Sequence, residues 1–393
     1  MKKVCFLLIG LTMIFCLNFM IFSACKQEKK HYEKLPPIER NENQYKYSLE
    51  TYVKPFWEGT ICYNESVCFL GKNAKVKLLY DASQILYVSS YDLSIQYEEG
   101  QDFIYENGYL KLTKNTSIPY FTNSEYFCND SNSMRCSKFP YSHMIHDGNG
   151  TRIISKQVLV SYTHTSSTHY KPTINKSNPQ YLESLLNKQD AKILFFGDSI
   201  VAGAGSTSFY CLSPNIPTWT NLALQYIQKF KKSTITFTNY AVGGTNSFWG
   251  ADNIENCVKK QNFDIAVIGF GMNDINTLNG DYKQNILKII QTIKSYNPDC
   301  YIMLLSPMLP NSWAKDFYKN QKNFEAILKS IATTQSNLCL IPITTLYKKI
   351  ANNKNFYEMS HNNINHPNDY LARIYAQSFL YALYGEEFYV NSK

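Results

Sequence analysis

From residue 191 onward, short apolar runs alternate with stretches of helical spacing, and this alternation constrains the fold more than any other feature of the chain. Residues 193–196, Ile-Leu-Phe-Phe, are continuously apolar, as in a strand buried on both faces. Runs at 234–238, 265–268, 301–305 and 338–341 repeat the pattern. Helical spacing fills 218–230, 282–296, 313–333 and 368–384. Strand–helix alternation of this kind predicts a parallel sheet with helices on both faces. Ligands of such sheets bind in the crevice at the carboxyl ends of the strands.

Residues 46–180 have a different rhythm. Residues 74–80 alternate in part, and 84–89 are rich in β-branched and aromatic side chains. Residues 102–105 and 109–112 flank Asn107-Gly108, a pair that tolerates the positive φ of a tight hairpin turn. Ile153, Ile154 and residues 157–162 supply at least one more strand. Strand signals at short intervals predict an all-β sandwich or jelly roll ahead of the α/β part. Residues 164–186 are a polar connector.

The first residues are expected to be a targeting segment. Met1-Lys2-Lys3 is basic, residues 4–22 are apolar apart from Gly10, Thr12 and Asn18, and Phe22-Ser23-Ala24-Cys25 precedes a polar run. This is the n-region, h-region and small-residue order of a secretory signal peptide. A Cys after the small pair resembles the lipobox of bacterial lipoproteins, with Phe22 where Leu is usual. The alternative is a plain transmembrane anchor, since the run almost suffices to span a bilayer. The lipoprotein reading gives a signal peptide over 1–24, lipidation of Cys25 and a solvated tether over 25–45. The protein would then be exported and lipid-anchored in a bacterial cell envelope.

Export bears on the cysteines. Beyond the signal and Cys25, eight of the 11 remain: Cys62, Cys68, Cys128, Cys136, Cys211, Cys257, Cys300 and Cys339. An even set in an exported protein suggests disulfides. Cys62–Cys68 and Cys128–Cys136 would each close a short loop. Cys211–Cys257 would tie the loops after the first two strands, and Cys300–Cys339 would join neighbouring strand starts. Buried thiols are the alternative. No Cys-x-x-Cys spacing suggests zinc. The net charge of +8 is spread in single Lys residues without a long basic run, which argues against nucleic acid as a partner. Aromatic residues make up 15% of the chain, and such chains build large cores or line sugar-binding grooves.

Chemistry gathers after the strands. Gly197-Asp198-Ser199 follows the first run, Val242-Gly243-Gly244-Thr245 the second, and Gly271-Met272-Asn273-Asp274 the third; Asn365-His366-Pro367 precedes the last helix. A Ser leaving a buried strand is exposed where substrate would bind. Paired glycines and an Asn amide can supply oxyanion donors. Pro367 keeps His366 out of helix, on a loop. Each block alone is more simply a turn serine, a tight turn or a structural histidine.

In order, the four blocks resemble the SGNH (GDSL-type) hydrolase superfamily over roughly residues 190–385. The resemblance implies Ser199 as nucleophile and His366 as base. It also implies an oxyanion hole of Gly244, Asn273 and the Ser199 N–H. Pro217-Thr218-Trp219, Trp249-Gly250, residues 306–311 and Asn368-Asp369 are similar to bacterial two-domain carbohydrate esterases. That branch implies a flavodoxin-like three-layer hydrolase domain over 186–388 preceded by a β-sandwich over 46–180. It also implies an acylated glycan as substrate and no metal or organic cofactor. The family carries Asp three residues before the His; here that residue is Asn363. Either its carbonyl oxygen or a backbone carbonyl would then orient His366. Three readings follow: an esterase removing acyl groups, above all acetyl, from a carbohydrate; a glycan-binding lipoprotein with an inactive fold; or an acyltransferase.

Overall fold

The computed structural model describes residues 47–127, 144–165 and 167–390. The expected signal peptide, Cys25, the whole of the tether, Cys128 and Cys136 lie outside them. Among the described residues no helix is long and apolar enough to cross a membrane.

Among the described residues, seven strands precede the parallel sheet: β1 (Ile61–Cys68), β2 (Lys75–Lys77), β3 (Ala82–Ser90), β4 (Gln96–Tyr97), β5 (Phe103–Glu106), β6 (Tyr109–Leu112) and β7 (Gln157–His164). They form two antiparallel sheets, β1-β7-β3-β4 and β2-β6-β5. The expected hairpin is β5–β6, and Asn107 and Gly108 take φ of 52° and 77°, as a two-residue turn requires. Ile153 and Ile154 are not strand: residues Ile154–Lys156 form a 3-10 turn leading into β7.

The parallel sheet comprises β8 (Lys192–Gly197), β9 (Thr236–Asn239), β10 (Ile265–Gly269), β11 (Tyr301–Leu305) and β12 (Leu338–Ile341), in spatial order β12-β11-β10-β8-β9. Successive side chains of a strand point to opposite faces. Ile193 and Phe195 therefore join one hydrophobic cluster, and Leu194 and Phe196 join the other. The second cluster is covered by α2 (Ser247–Val258), α3 (Asn279–Tyr296) and α4 (Gln321–Ala332); the first by α1 (Trp219–Phe230), α5 (Ile343–Ala351) and α6 (Asp369–Tyr384). The parallel sheet with helices on both faces is the expected architecture.

Two sequence expectations shift. The polar connector ends in a helix, Pro179–Leu186, whose Leu182, Leu185 and Leu186 share its buried face behind a Pro in the first turn. The helix expected from residue 313 starts only at Gln321. Asn311 Oδ1 accepts the Trp313 N–H, and this local turn diverts the chain.

The β region docks on the α/β part through buried polar contacts. Lys354 Nζ lies 2.9 Å from Glu65 Oε1 and 3.0 Å from Glu358 Oε1, and all three side chains are fully buried. Tyr162 Oη donates to Glu65 Oε2 at 2.6 Å. Asn368, the N-cap of α6, donates to Ser66 Oγ and Gln157 Oε1. These bonds fix the start of α6, and therefore the loop before it.

The expected disulfides are not formed among the described residues: Cys62, Cys68, Cys211, Cys257, Cys300 and Cys339 are free thiols. Cys62 and Cys68 lie at either end of the main run of β1, roughly 20 Å apart at about 3.3 Å per residue, far beyond bridging distance. Cys300 and Cys339 belong to clusters on opposite faces of the sheet. Cys211 is exposed while Cys257 is buried on α2. Cys128–Cys136 falls outside the described residues.

Candidate active site

The position of Ser199 follows from the end of β8. Gly197 pairs with Gly269 of β10, and a Cβ on Gly197 would meet the Gly269 carbonyl oxygen at 2.3 Å, so only glycine fits there. Asp198 then caps a one-turn helix, Ser199–Ala202, its carboxylate accepting from the Ile200 N–H at 3.0 Å. Burial pushes the Asp198 carboxyl up to about 7. Trp219 Nε1 donates to Ile200 O at 2.8 Å and Asn239 Nδ2 to Val201 O at 2.9 Å, so the turn is held from two sides.

Ser199 Oγ lies 2.9 Å from His366 Nε2. The two residues are 167 positions apart, and this is hydrogen-bond reach for a nucleophile and its base. Burial first, and then the neighbouring His361, lowers His366 to about 4. The imidazole is therefore neutral at neutral pH, the state that accepts a proton from Ser199.

Two further loops hold the residues expected to supply oxyanion donors. Gly243 sits against Ser199, where an added Cβ would be 3.8 Å from the serine Cβ. Gly244 faces open space, with φ of 77°. Asn273 Nδ2 donates to Thr245 O at 2.9 Å, which ties the loop after β10 to the loop after β9. A carboxamide carries two N–H donors, so one is left for a substrate oxygen. Asp274 anchors this corner: its carboxylate accepts from the Ser247 N–H, the Ser247 hydroxyl and Thr277 Oγ1. Burial raises the Asp274 pKa despite those donors.

The histidine loop is stitched to itself. Asn362 Oδ1 accepts the N–H groups of Ile364, Asn365 and His366 at 2.9–3.0 Å. Ser360 Oγ donates to His366 O at 2.8 Å, and Ser360 and Pro367 form an antiparallel bridge. Gly205, with φ of 102°, packs so closely that a Cβ would lie 1.9 Å from Pro367 O. Asp369 accepts from Thr207 N and Oγ1, both at 2.8 Å, which locks the segment after the nucleophile onto the start of α6.

Residues 195–374 match the model of the GDSL-like Lipase/Acylhydrolase family, a span that holds Ser199, Gly244, Asn273 and His366. This segment is similar to GDSL-type hydrolase domains. An uncharacterized protein of Mycoplasma pneumoniae is 28% identical over 168 residues, which is 40% of this chain and 18% of that protein. The fold is similar to that of a two-domain esterase (CEX) active on acetylated mannans, co-crystallised with mannopentaose (18% identical, 56% of each chain, TM-score 0.44). It is also similar to a catalytic mutant of Axe2, an acetylxylan esterase from Geobacillus stearothermophilus (18% identical, 51% of this chain and 96% of that one, TM-score 0.42). The chain thus spans 56% of the length of the two-domain esterase.

The Asn363 side chain makes no hydrogen bond to His366. Its φ is 62°, and its carboxamide is committed elsewhere. Nδ2 donates to Tyr126 Oη at 3.0 Å and Ile145 O at 2.9 Å, and Oδ1 accepts from Asn311 Nδ2 at 3.1 Å. His366 Nδ1 is buried with no hydrogen-bond partner among the described residues. Of the sequence-identified residues, the fold brings Ser199, His366, Gly244 and Asn273 to one end of the sheet and sets Asn363 aside. Residues that sequence reading missed include Asn362, Asp274, Tyr126 and His361. His361 carried one local signal, its place five residues before His366 in the same Asn-rich loop. A cavity of about 440 Å³ at edge strand β12, lined in part by Lys176, Lys329, Leu340 and Lys349, includes none of the site residues.

Proposed function

We propose that this chain is a serine esterase that removes acyl groups, above all acetyl, from a carbohydrate. The observation that carries the reading is the 2.9 Å contact between Ser199 Oγ and His366 Nε2 at the carboxyl end of β8. His366 Nε2 takes the Ser199 proton as Oγ attacks the ester carbonyl. The negative charge on the former carbonyl oxygen is met by the Ser199 and Gly244 N–H groups and the Asn273 amide. Collapse releases the sugar hydroxyl, which takes the proton from His366 and leaves an acyl-Ser199 ester. Water, deprotonated by His366, then releases the carboxylic acid and free serine.

The carbohydrate half of the reading is supported by exposed aromatic side chains on the segments that follow the strand ends. Phe209 follows β8, Phe248 follows β9 and Trp313 follows β11; they are 37%, 47% and 43% exposed. Trp313 is backed by Phe127, with ring centroids 5.3 Å apart, and by Tyr126 at 5.7 Å. Rigid aromatic faces of this kind suit the apolar C–H face of a sugar ring.

Within this reading the chain is an exported lipoprotein, anchored through Cys25 behind the 25–45 tether, with a β-sandwich over 46–180 and the hydrolase over 186–388. Acyl transfer to another sugar would use the same acyl-enzyme. Release of acetate from a panel of acetylated polysaccharides, with and without acceptor glycan, tests substrate and reaction together. A second reading, a glycan-binding protein with a silent site, is favoured by the His366 Nδ1 that lacks an acceptor. Failure of Ser199 to label with a fluorophosphonate would support it.

A further inference from the structure

The mechanism above leaves one buried ring unused. His361 is fully buried, and neither of its ring nitrogens has a hydrogen-bond partner among the described residues. It stands directly across from the base. The Ser360–Pro367 bridge is flanked by His361 N donating to His366 O at 3.1 Å and by Asn368 N donating to Met359 O at 2.9 Å. Residues 361 and 366 are therefore opposite each other in a two-stranded antiparallel pairing, the arrangement that puts two side chains side by side on one face.

The other polar groups around His366 are committed. Asn363 is held by Tyr126, Ile145 and Asn311, and Asn362 Oδ1 by three backbone N–H groups. Asp198 caps the nucleophile turn, and Asp369 holds Thr207. Asp147 receives the N–H groups of Gly150 and Arg152. Its charge acts on His361, as do the backbones of Gly205 and Gly150. The His361 ring itself rests on Tyr210, with centroids 4.8 Å apart.

We propose that His361 is the positioning residue for His366, its imidazole lone pair accepting the His366 Nδ1–H in the place a carboxylate would take. A neutral His361 carries one N–H, and its other nitrogen is an acceptor. Accepting from Nδ1 fixes the tautomer in which Nε2 is free to take the Ser199 proton. Catalytic hydrogen bonds of this kind commonly shorten in the substrate complex. The device explains how the loop functions with Asn363 turned away, and it rests on the esterase reading of Ser199 and His366.

The test compares wild type, Ser199→Ala, His361→Phe and His361→Gln on p-nitrophenyl acetate. His361→Phe keeps a ring against Tyr210 but removes the acceptor. It should lower kcat about 10- to 100-fold, as expected for a buried donor left without an acceptor, with little change in KM. His361→Gln restores an acceptor oxygen and should recover most of the loss. A His361→Phe variant with wild-type kcat, or a Gln variant no better than Phe, overturns the positioning role while leaving the esterase reading intact. Absence of Ser199-dependent turnover in wild type overturns both. If His361→Phe does not fold, histidine ¹⁵N NMR of the wild type decides: the proposal expects a protonated Nδ1 and bare Nε2 on His366, and a bare Nδ1 contradicts it.

Discussion

Tyr126 Oη and Asn363 Nδ2 lie 3.0 Å apart, joining two residues separated by 237 positions. Tyr126 belongs to the short helix Asn123–Phe127 of the β region, and Asn363 to the loop that presents the base. The carboxamide therefore works as a buried tie between the two parts of the chain, with Asn311 and Ile145 completing its bonds.

This assignment predicts the behaviour of Asn363 variants. Asn363→Ala removes the tie and places Ala at a φ of 62°, a conformation it disfavours. It should destabilise the protein by about 1–3 kcal/mol in urea unfolding, the cost of buried partners left unpaired. Asn363→Asp would set a carboxylate oxygen against the Ile145 carbonyl, which now accepts from Nδ2. It should therefore be destabilising and gain no activity. An Asp variant more active than wild type would restore the catalytic role expected from the sequence.

The pH profile follows from the lowered His366. An ordinary histidine titrates near 6.5, and burial brings this one to about 4. The base must be neutral, so activity is retained as pH falls through 6.5 and lost only as it falls through about 4. The acid limb of kcat/KM on an activated acetyl ester measures this in the free enzyme. A limb near 6.5 would mean that the ring is solvated or paired with an anion.

The buried Lys354–Glu65–Glu358 cluster carries a stability prediction. Lys354→Met leaves two fully buried carboxylates without their cation. Breaking a buried ion pair from one side costs about 3–5 kcal/mol, and the urea midpoint should fall accordingly. An unchanged midpoint would show that the lysine cation contributes nothing to the stability of the cluster.

What the sequence revealed was local. The continuous run 193–196 and the Asn107-Gly108 turn are set by short-range preferences, and both elements form where expected. Ser199 and His366 could be paired because their surrounding motifs are short and lie at the ends of elements. Asn363 misled because its partners, Tyr126 and Ile145, are more than two hundred positions away. The free thiols misled for the same reason: an even cysteine count says nothing about which face of a sheet each occupies. His361 has an identifiable place in the loop, but its burial beside His366 depends on the Ser360–Pro367 pairing, which no periodicity reports.

The central claim is that Ser199 attacks an ester carbonyl with His366 as base and Asn273 among the oxyanion donors. It is tested most directly by steady-state hydrolysis of p-nitrophenyl acetate by wild type, Ser199→Ala and Asn273→Ala. The account predicts no enzymatic turnover above background in Ser199→Ala and a kcat loss of about 10²–10³ in Asn273→Ala, with melting temperatures close to wild type. Wild-type turnover in a folded Ser199→Ala variant would contradict it.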